Sequence, residues 1–360
     1  MGVNIQPAVD NGSEAAVARA LDQIGEISTL PEITLKIIET VEDPRSTARD
    51  LHEIVTHDLA LSARILRESE RRNDRFGQGM MHIVQASVEL WSGHPRAAAA
   101  GAAQAVASFR SSGELIDAVG MEQALSLCGR AEVMAGNVAK GRHLIAEAIV
   151  VSERTSASFA QLVEFFTDVQ IGRPEALLAL SEEEWMGFSG GAALSEAQHV
   201  SARALALAQT SREEAALPLA RAAADASPEG GYEHAALALV AAACGSDHEA
   251  REAAAAVMGI RRSTYLDRLT AQLAVAVSDL GPEGDAALVR ARHEFGVGED
   301  QVAVALVALA GAVRAEARGR TGGAEHAESD RLLGELGLGD TRWRDLFRRA
   351  VGHAAAPAAT

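Results

Sequence analysis

The feature that most restricts this chain is a small residue that recurs at turns from Phe76 onward. Gly93, Gly136, Gly172, Ser211, Gly245, Gly281 and Gly322 are separated by 43, 36, 39, 34, 36 and 41 positions. A period of that length is two helices and a turn, so it predicts an array of helical hairpins. A second small residue follows five places on, as Ala98, Gly141, Ala216, Ala250, Ala286 and Ala327. Small side chains there let paired helices approach closely. The Gly172 hairpin departs from the pattern, with Leu177 at the packing position. Composition agrees. Only 4% of residues are aromatic, and alanine forms blocks at 97–100 and 253–256, which favours closely packed helices over sheets.

Ahead of the array, residues 1–12 read as a disordered leader and 13–70 as a small helical unit. A first helix is expected near Glu14 to Ile27. Ser28 or Thr29 caps a second that begins at Pro31 and carries Ile33, Leu35, Ile37, Ile38 and Val41, until Asp43 and Pro44 stop it. Ser46 and Thr47 open a third with Leu51, Ile54 and Val55, and Asp58 precedes a fourth with Leu59, Leu61, Ile65 and Leu66. The apolar runs 234–244 and 302–313 fall short of the roughly 18 to 20 residues of a bilayer span and predict buried helices. Residues 339–353 place Trp343, Leu346 and Phe347 on one helical face. This helix is expected to cover the exposed end of the array.

Two resemblances follow from these residues. Leu30, Pro31, Glu32, Leu35 and Ile38, then Glu42, Asp43, Pro44, Leu51 and Ile54, and finally Asp58 to Leu66, look like the opening of an HDOD domain. Here Glu68 and Ser69 stand where that family has an asparagine-serine step, and Asp58-Leu59 replaces its aspartate-proline. The resemblance implies a truncated or divergent HDOD-like unit. Leu127, Cys128, Gly129, Arg130 and Ala131, followed by Gly136, Asn137, Gly141, Ile145 and Ala148, resemble one tetratricopeptide repeat, with degenerate copies over 76–338. The resemblance implies an α-α superhelical array of the kind attached to bacterial transcription regulators and signalling ATPases. Its concave face would present Gln123, Ser126 and Arg130, joined by Tyr232, as a groove for a protein or peptide partner.

Several chemistries lose support on the residues themselves. The 33 basic against 50 acidic side chains give a net charge of −17, which disfavours neutralising phosphates along a duplex. Direct nucleic-acid contact is not expected. Arg71, Arg72 and Arg75, and again Arg342, Arg344, Arg348 and Arg349, are interleaved with Asp74 and Asp345, so interdomain ion pairing or partner docking is preferred for them. Cys128 and Cys244 lack any paired spacing and lie in apolar helical stretches, as do Met134 and Met258, which suits packing in a reducing cytoplasm. No secretory signal or acylation pattern is read at the N-terminus, and no membrane association is expected. Lysine occurs only at 36 and 140, an arginine-biased usage that suggests a high-GC bacterium.

Catalytic and cofactor motifs fare no better. His57-Asp58 has the look of an HD-type metal ligand pair, yet His82 and His94 follow without ligand spacing. Residues 136–143 have the length of a phosphate loop, but Arg142 and His143 replace the required lysine and serine or threonine, and the segment follows a helix. Glu182, Glu183 and Glu184 point around a solvated helix start. Gly190 and Gly191 read as a linker.

The reading is an all-α protein, non-enzymatic, without metal or cofactor, acting as a cytoplasmic regulatory scaffold of bacterial signal transduction. Its alternatives are the detached sensory portion of a transcription regulator or signalling ATPase, and a metal-dependent HD-type phosphohydrolase.

Overall fold

The computed structural model describes residues 67–69, 71–110, 117–153, 159–187, 196–261, 263–296, 298–320 and 323–356. All belong to one unit spanning Ile65–Thr360. The leader, the four helices expected over 13–66, the pair His57-Asp58, and the glycines at 190, 191 and 322 lie outside the described residues. Among the described residues the chain is all helical, with no strand.

Helices alternate between two layers. The first helices of successive hairpins are α1 (Arg75–Trp91), α3 (Asp117–Met134), α5 (Phe159–Gln170), α8 (Glu196–Gln209), α10 (Gly231–Ala243), α12 (Tyr265–Ser278) and α14 (Gln301–Ala317). Their partners are α2 (Pro95–Arg110), α4 (Val138–Ser152), the short α6 (Glu175–Ala179) and α7 (Glu182–Gly187), α9 (Glu213–Ala226), α11 (Asp247–Gly259), α13 (Pro282–Phe295) and α15 (Ala324–Glu335). Each first helix packs on the next first helix, and each second helix packs on the first helix that follows it. The row curls until α14 touches α3. The two long apolar runs become α10 and α14, helices whose alanines are nearly all closed to solvent.

The turns explain the period. Gly93, Gly136, Gly172, Ser211 and Gly245 have positive φ, from 59° at Ser211 to 97° at Gly136. Each ends a first helix by the same pair of hydrogen bonds. Gly93 N–H donates to the Leu90 carbonyl at 3.2 Å while His94 N–H reaches back to Glu89 at 2.9 Å. At Gly136 the bonds run to Val133 at 3.0 Å and from Asn137 to Glu132 at 2.8 Å. This left-handed closure consumes otherwise unpaired carbonyls and reverses the chain. Gly281 differs from its expected role. Its φ is −86°, and it is the N-cap of α13. The turn there is made by Asp279, whose carboxylate accepts from Gly281 and Gly284 at 2.8 Å each, and by Pro282 opening the next helix. At the last hairpin the left-handed residue is Gly319, with φ 73°.

Close approach follows the turns where the left-handed geometry holds. Ala98, Gly141, Ala216 and Ala250 are buried against the partner helix, whereas Ala286 and Ala327 are exposed, because the altered turns shift the register. In the sixth hairpin Gly284 and Ala287 take the buried place. Leu177 is buried, and its bulk coincides with a second helix that stops after Ala179 and restarts as α7. Trp185 of α7 then fills the space, its indole N–H donating to the His199 carbonyl at 2.9 Å. The acidic start of α7 is solvent exposed, and Ser181 and Glu184 cap it reciprocally.

The last helix, α16 (Trp343–Ala355), buries Trp343, Leu346 and Phe347 on one face as expected, but it does not cover an end of the array. It crosses α8, α10, α12 and α14. Its approach is anchored on the end of α5, where Thr341 Oγ1 donates to the Ile171 carbonyl at 2.8 Å and Trp343 Nε1 to Gln170 at 2.7 Å. Its apolar face is buried along the row of first helices, and the helix-end carbonyls of α5 fix where it enters.

Gly129 and Gly141 mark the tightest crossing. A methyl on Gly129 would stand 2.7 Å from the Gly141 carbonyl oxygen, and one on Gly141 would overlap the Gly129 carbonyl. Gly141→Ala is expected to lower unfolding stability by about 1–3 kcal/mol, read as a reduced denaturant midpoint with unchanged slope; a stability equal to the parent's would refute the crossing.

Candidate functional site at the inner face

Gln123, Ser126 and Arg130 recur at three- and four-residue spacing on α3 and share a face. The structure separates their fates. Ser126 is wholly buried, with no hydrogen-bond partner for its hydroxyl, so it is not the groove residue expected of it. Gln123 is half-buried. Arg130 is half-buried and donates through Nη2 to Gln170 Oε1 at 3.4 Å. Tyr232, in the first turn of α10, lies with its ring 5.7 Å from that of Phe166. Phe166 in turn joins Phe165, Trp185 and His199 in an aromatic group.

Arg130 and Tyr232 do meet, in company the spacing did not foretell. Tyr232, Tyr265, Asp267 and Asp300 all lie within electrostatic reach of the Arg130 guanidinium. Burial lowers the arginine below its ordinary value, and the two carboxylates oppose that shift. Asp300 caps α14, accepting from Ala303 N–H at 2.9 Å and from the Tyr265 hydroxyl. Burial pushes its carboxyl up to about 6 despite those donors. Asp267, in a reciprocal cap with Thr264, is likewise raised by burial. Burial drives both tyrosine hydroxyls well above the ordinary phenol range, so they stay protonated donors.

In front of Tyr265 and Asp300 opens a cleft of about 300 Å³, where the turn after α1 meets α12, α13 and the start of α14. His94, Arg268, Glu294 and Glu299 complete its polar wall. Arg268 and Glu294 approach to 3.4 Å, and Gln272 holds the other Glu294 oxygen at 2.9 Å. The arrangement offers donors and acceptors at fixed positions, suited to holding polar groups of a ligand. Sequence reading passed over Tyr265, Asp267 and Asp300 because two of them look like ordinary helix caps. Thr264 and Asp267 carried a cap signal; nothing local tied it to Arg130.

Other candidates resolve into structure. Gly136 turns one helix into the next, as its repeat position implies. Burial pushes the Cys128 and Cys244 thiols up to about 11, and Cys128 Sγ rests 3.6 Å from the Ala99 carbonyl. Arg71 and Arg72 both pair with Glu68. The C-terminal arginines pair within the unit: Arg342 with Glu175 at 2.9 Å, Arg344 with Asp330 at 2.6 Å, Arg348 with Glu316 at 3.2 Å, and Arg349 with Glu213. Their partners are distant acids, neither the adjacent Asp345 nor a second domain. Among the described residues no group of three or more His, Cys, Asp or Glu could hold a metal ion, and no helix is long and apolar enough to cross a membrane.

A raised carboxyl favours the folded state while protonated, so its contribution is complete below about pH 4 and is lost as pH rises through about 6. Unfolding free energies of the parent and Asp300→Asn, measured from pH 4 to pH 7, should diverge on the order of 2 kcal/mol in that window. A pH-independent difference would place the Asp300 titration at its ordinary value.

Residues 27–70 match the HDOD domain family, a signalling-related family. All but the last few of them lie outside the described residues. Neither the curated proteins nor the solved structures give a match to the chain.

Proposed function

We propose that this chain is a non-enzymatic regulatory scaffold of bacterial signal transduction, cytoplasmic, which holds a protein or peptide partner at the inner-face cleft. The observation that carries the reading is the convergence of His94, Tyr265, Arg268, Glu294 and Asp300, from hairpins far apart in sequence, on one cleft of about 300 Å³. Such a volume accepts one or two side chains of an extended segment, with the surrounding polar groups left to fix its backbone. The HDOD match over 27–70 supports a signalling context.

The anchors differ from those first expected. Arg268 and Glu294 stand at the cleft wall, while Arg130 lies behind it within electrostatic reach of Tyr265, Asp300 and Tyr232. Trp91, half exposed one residue before the segment 92–94 that lines the cleft, offers an apolar contact at its edge. Direct nucleic-acid binding is not part of the proposal, since both basic clusters read from the sequence contain arginines paired to acids.

A photo-crosslinking residue placed at His94 in the full chain should capture a partner in cells of the source organism, and the same residue at exposed Val150 on α4 should not. Adding Arg268→Ala with Glu294→Ala should abolish the His94 product. Capture at Val150 alone, or a His94 product indifferent to the double substitution, would defeat the reading.

A further inference from the structure

On the outer side of the sixth and seventh hairpins lies a second cavity, of about 220 Å³, between α13, α14 and the start of α15. Four guanidinium groups line it, those of Arg292, Arg314, Arg318 and Arg320. Only two carboxylates accompany them, Asp285 and Glu325. In a chain of net charge −17 this is a local excess of two positive charges.

The internal pairing leaves that excess in place. Arg314 is buried, with its Nη1 given to the Ala276 and Asp279 carbonyls and its Nη2 to Asp285 Oδ1 at 2.6 Å. Its Nε has no hydrogen-bond partner. Arg318 turns to the same Asp285 oxygen at 2.7 Å, so one carboxylate is shared by two cations. Arg292 and Arg320 have no ion pair among the described residues, and both are exposed at the mouth. Two of the four guanidinium groups therefore present unneutralised charge at the cavity mouth.

Gly311, in the interior of α14, adds a second observation. A methyl there would stand 2.5 Å from Arg292 Nη2. The missing side chain is the space into which the Arg292 guanidinium folds over the cavity. Leu288 supplies an apolar wall beside it.

We propose that this pocket binds a phosphate-bearing small anion, its two free charges met by Arg292 and Arg320 and its floor set by the fixed pair Arg314 and Arg318. Guanidinium forks match tetrahedral oxyanions in geometry as well as charge. The site is separate from the inner-face cleft and does not depend on a partner there.

Titration calorimetry on the full chain, with chloride balancing ionic strength, tests the site with inorganic phosphate and with phenyl phosphate as probes. Saturable binding is expected, weakened at least about tenfold in Arg292→Gln with Arg320→Gln. Gly311→Ala is expected to weaken it as well, because the added methyl displaces the tip of a flexible arginine while helix propensity improves. Tighter binding of phenyl phosphate than of phosphate would identify a monoester using the Leu288 wall, and equal binding would identify free phosphate. Absence of saturable binding up to about 10 mM, an affinity too weak for any specific site, or affinity unchanged in both variants, would overturn the proposal.

Discussion

The carbonyls at the end of each first helix have no partner in their own helix, and nearly everything else in the unit is arranged around disposing of them. The left-handed residue takes two at each regular turn and sends the chain back on itself. Because the reversal is so tight, the next helix must run close alongside, and only small side chains fit a few positions on. The alanine bias of the sequence is thus a consequence of the turn as much as of helix propensity.

Side chains from elsewhere donate to these helix-end carbonyls too, both to ones the turns leave over and to ones the turns already use. Gln209 donates to the Val169 carbonyl at 2.8 Å, Trp343 and Thr341 to the next two, and Arg349 to Ala208. Arg314 performs the same service at the end of α12, and Arg318 just beyond it. Positive charge at these places also opposes the negative end of the helix dipole. The arginine-rich C-terminal stretch, which on the page resembles a docking patch, is spent inside the molecule.

Much of the architecture was legible because it rests on local chemistry. Five of the seven turn positions need or tolerate positive φ, and the small residue following four of those five is the visible trace of helix contact. Gly281 misled because glycine also serves at an extended N-cap, and the aspartate two residues before it did the turning. The last helix, α16, was placed wrongly for a different reason. It is fixed by residues that only the curl of the array brings near. The inner face shows the same division. Helical spacing put Arg130 toward the interior row, yet Asp300 lies 170 positions away and carries no mark beyond that of a cap. Ser126 shares the spacing and is buried by the neighbouring helix.

The bonds from the α15–α16 region to the end of α5 span more than 160 residues: Arg173 to the Gly337 carbonyl, Thr341 to Ile171, Trp343 to Gln170. Stacked hairpins that touch only their neighbours can fray from either end, each losing its structure with a free energy of its own. Tying the seventh hairpin's sequel to the third removes one of those ends. The hairpins between α5 and α16 become a closed loop of contacts that opens together, slow to assemble because its clasp waits on contacts more than 160 residues apart, and correspondingly uniform in its resistance to local opening once formed.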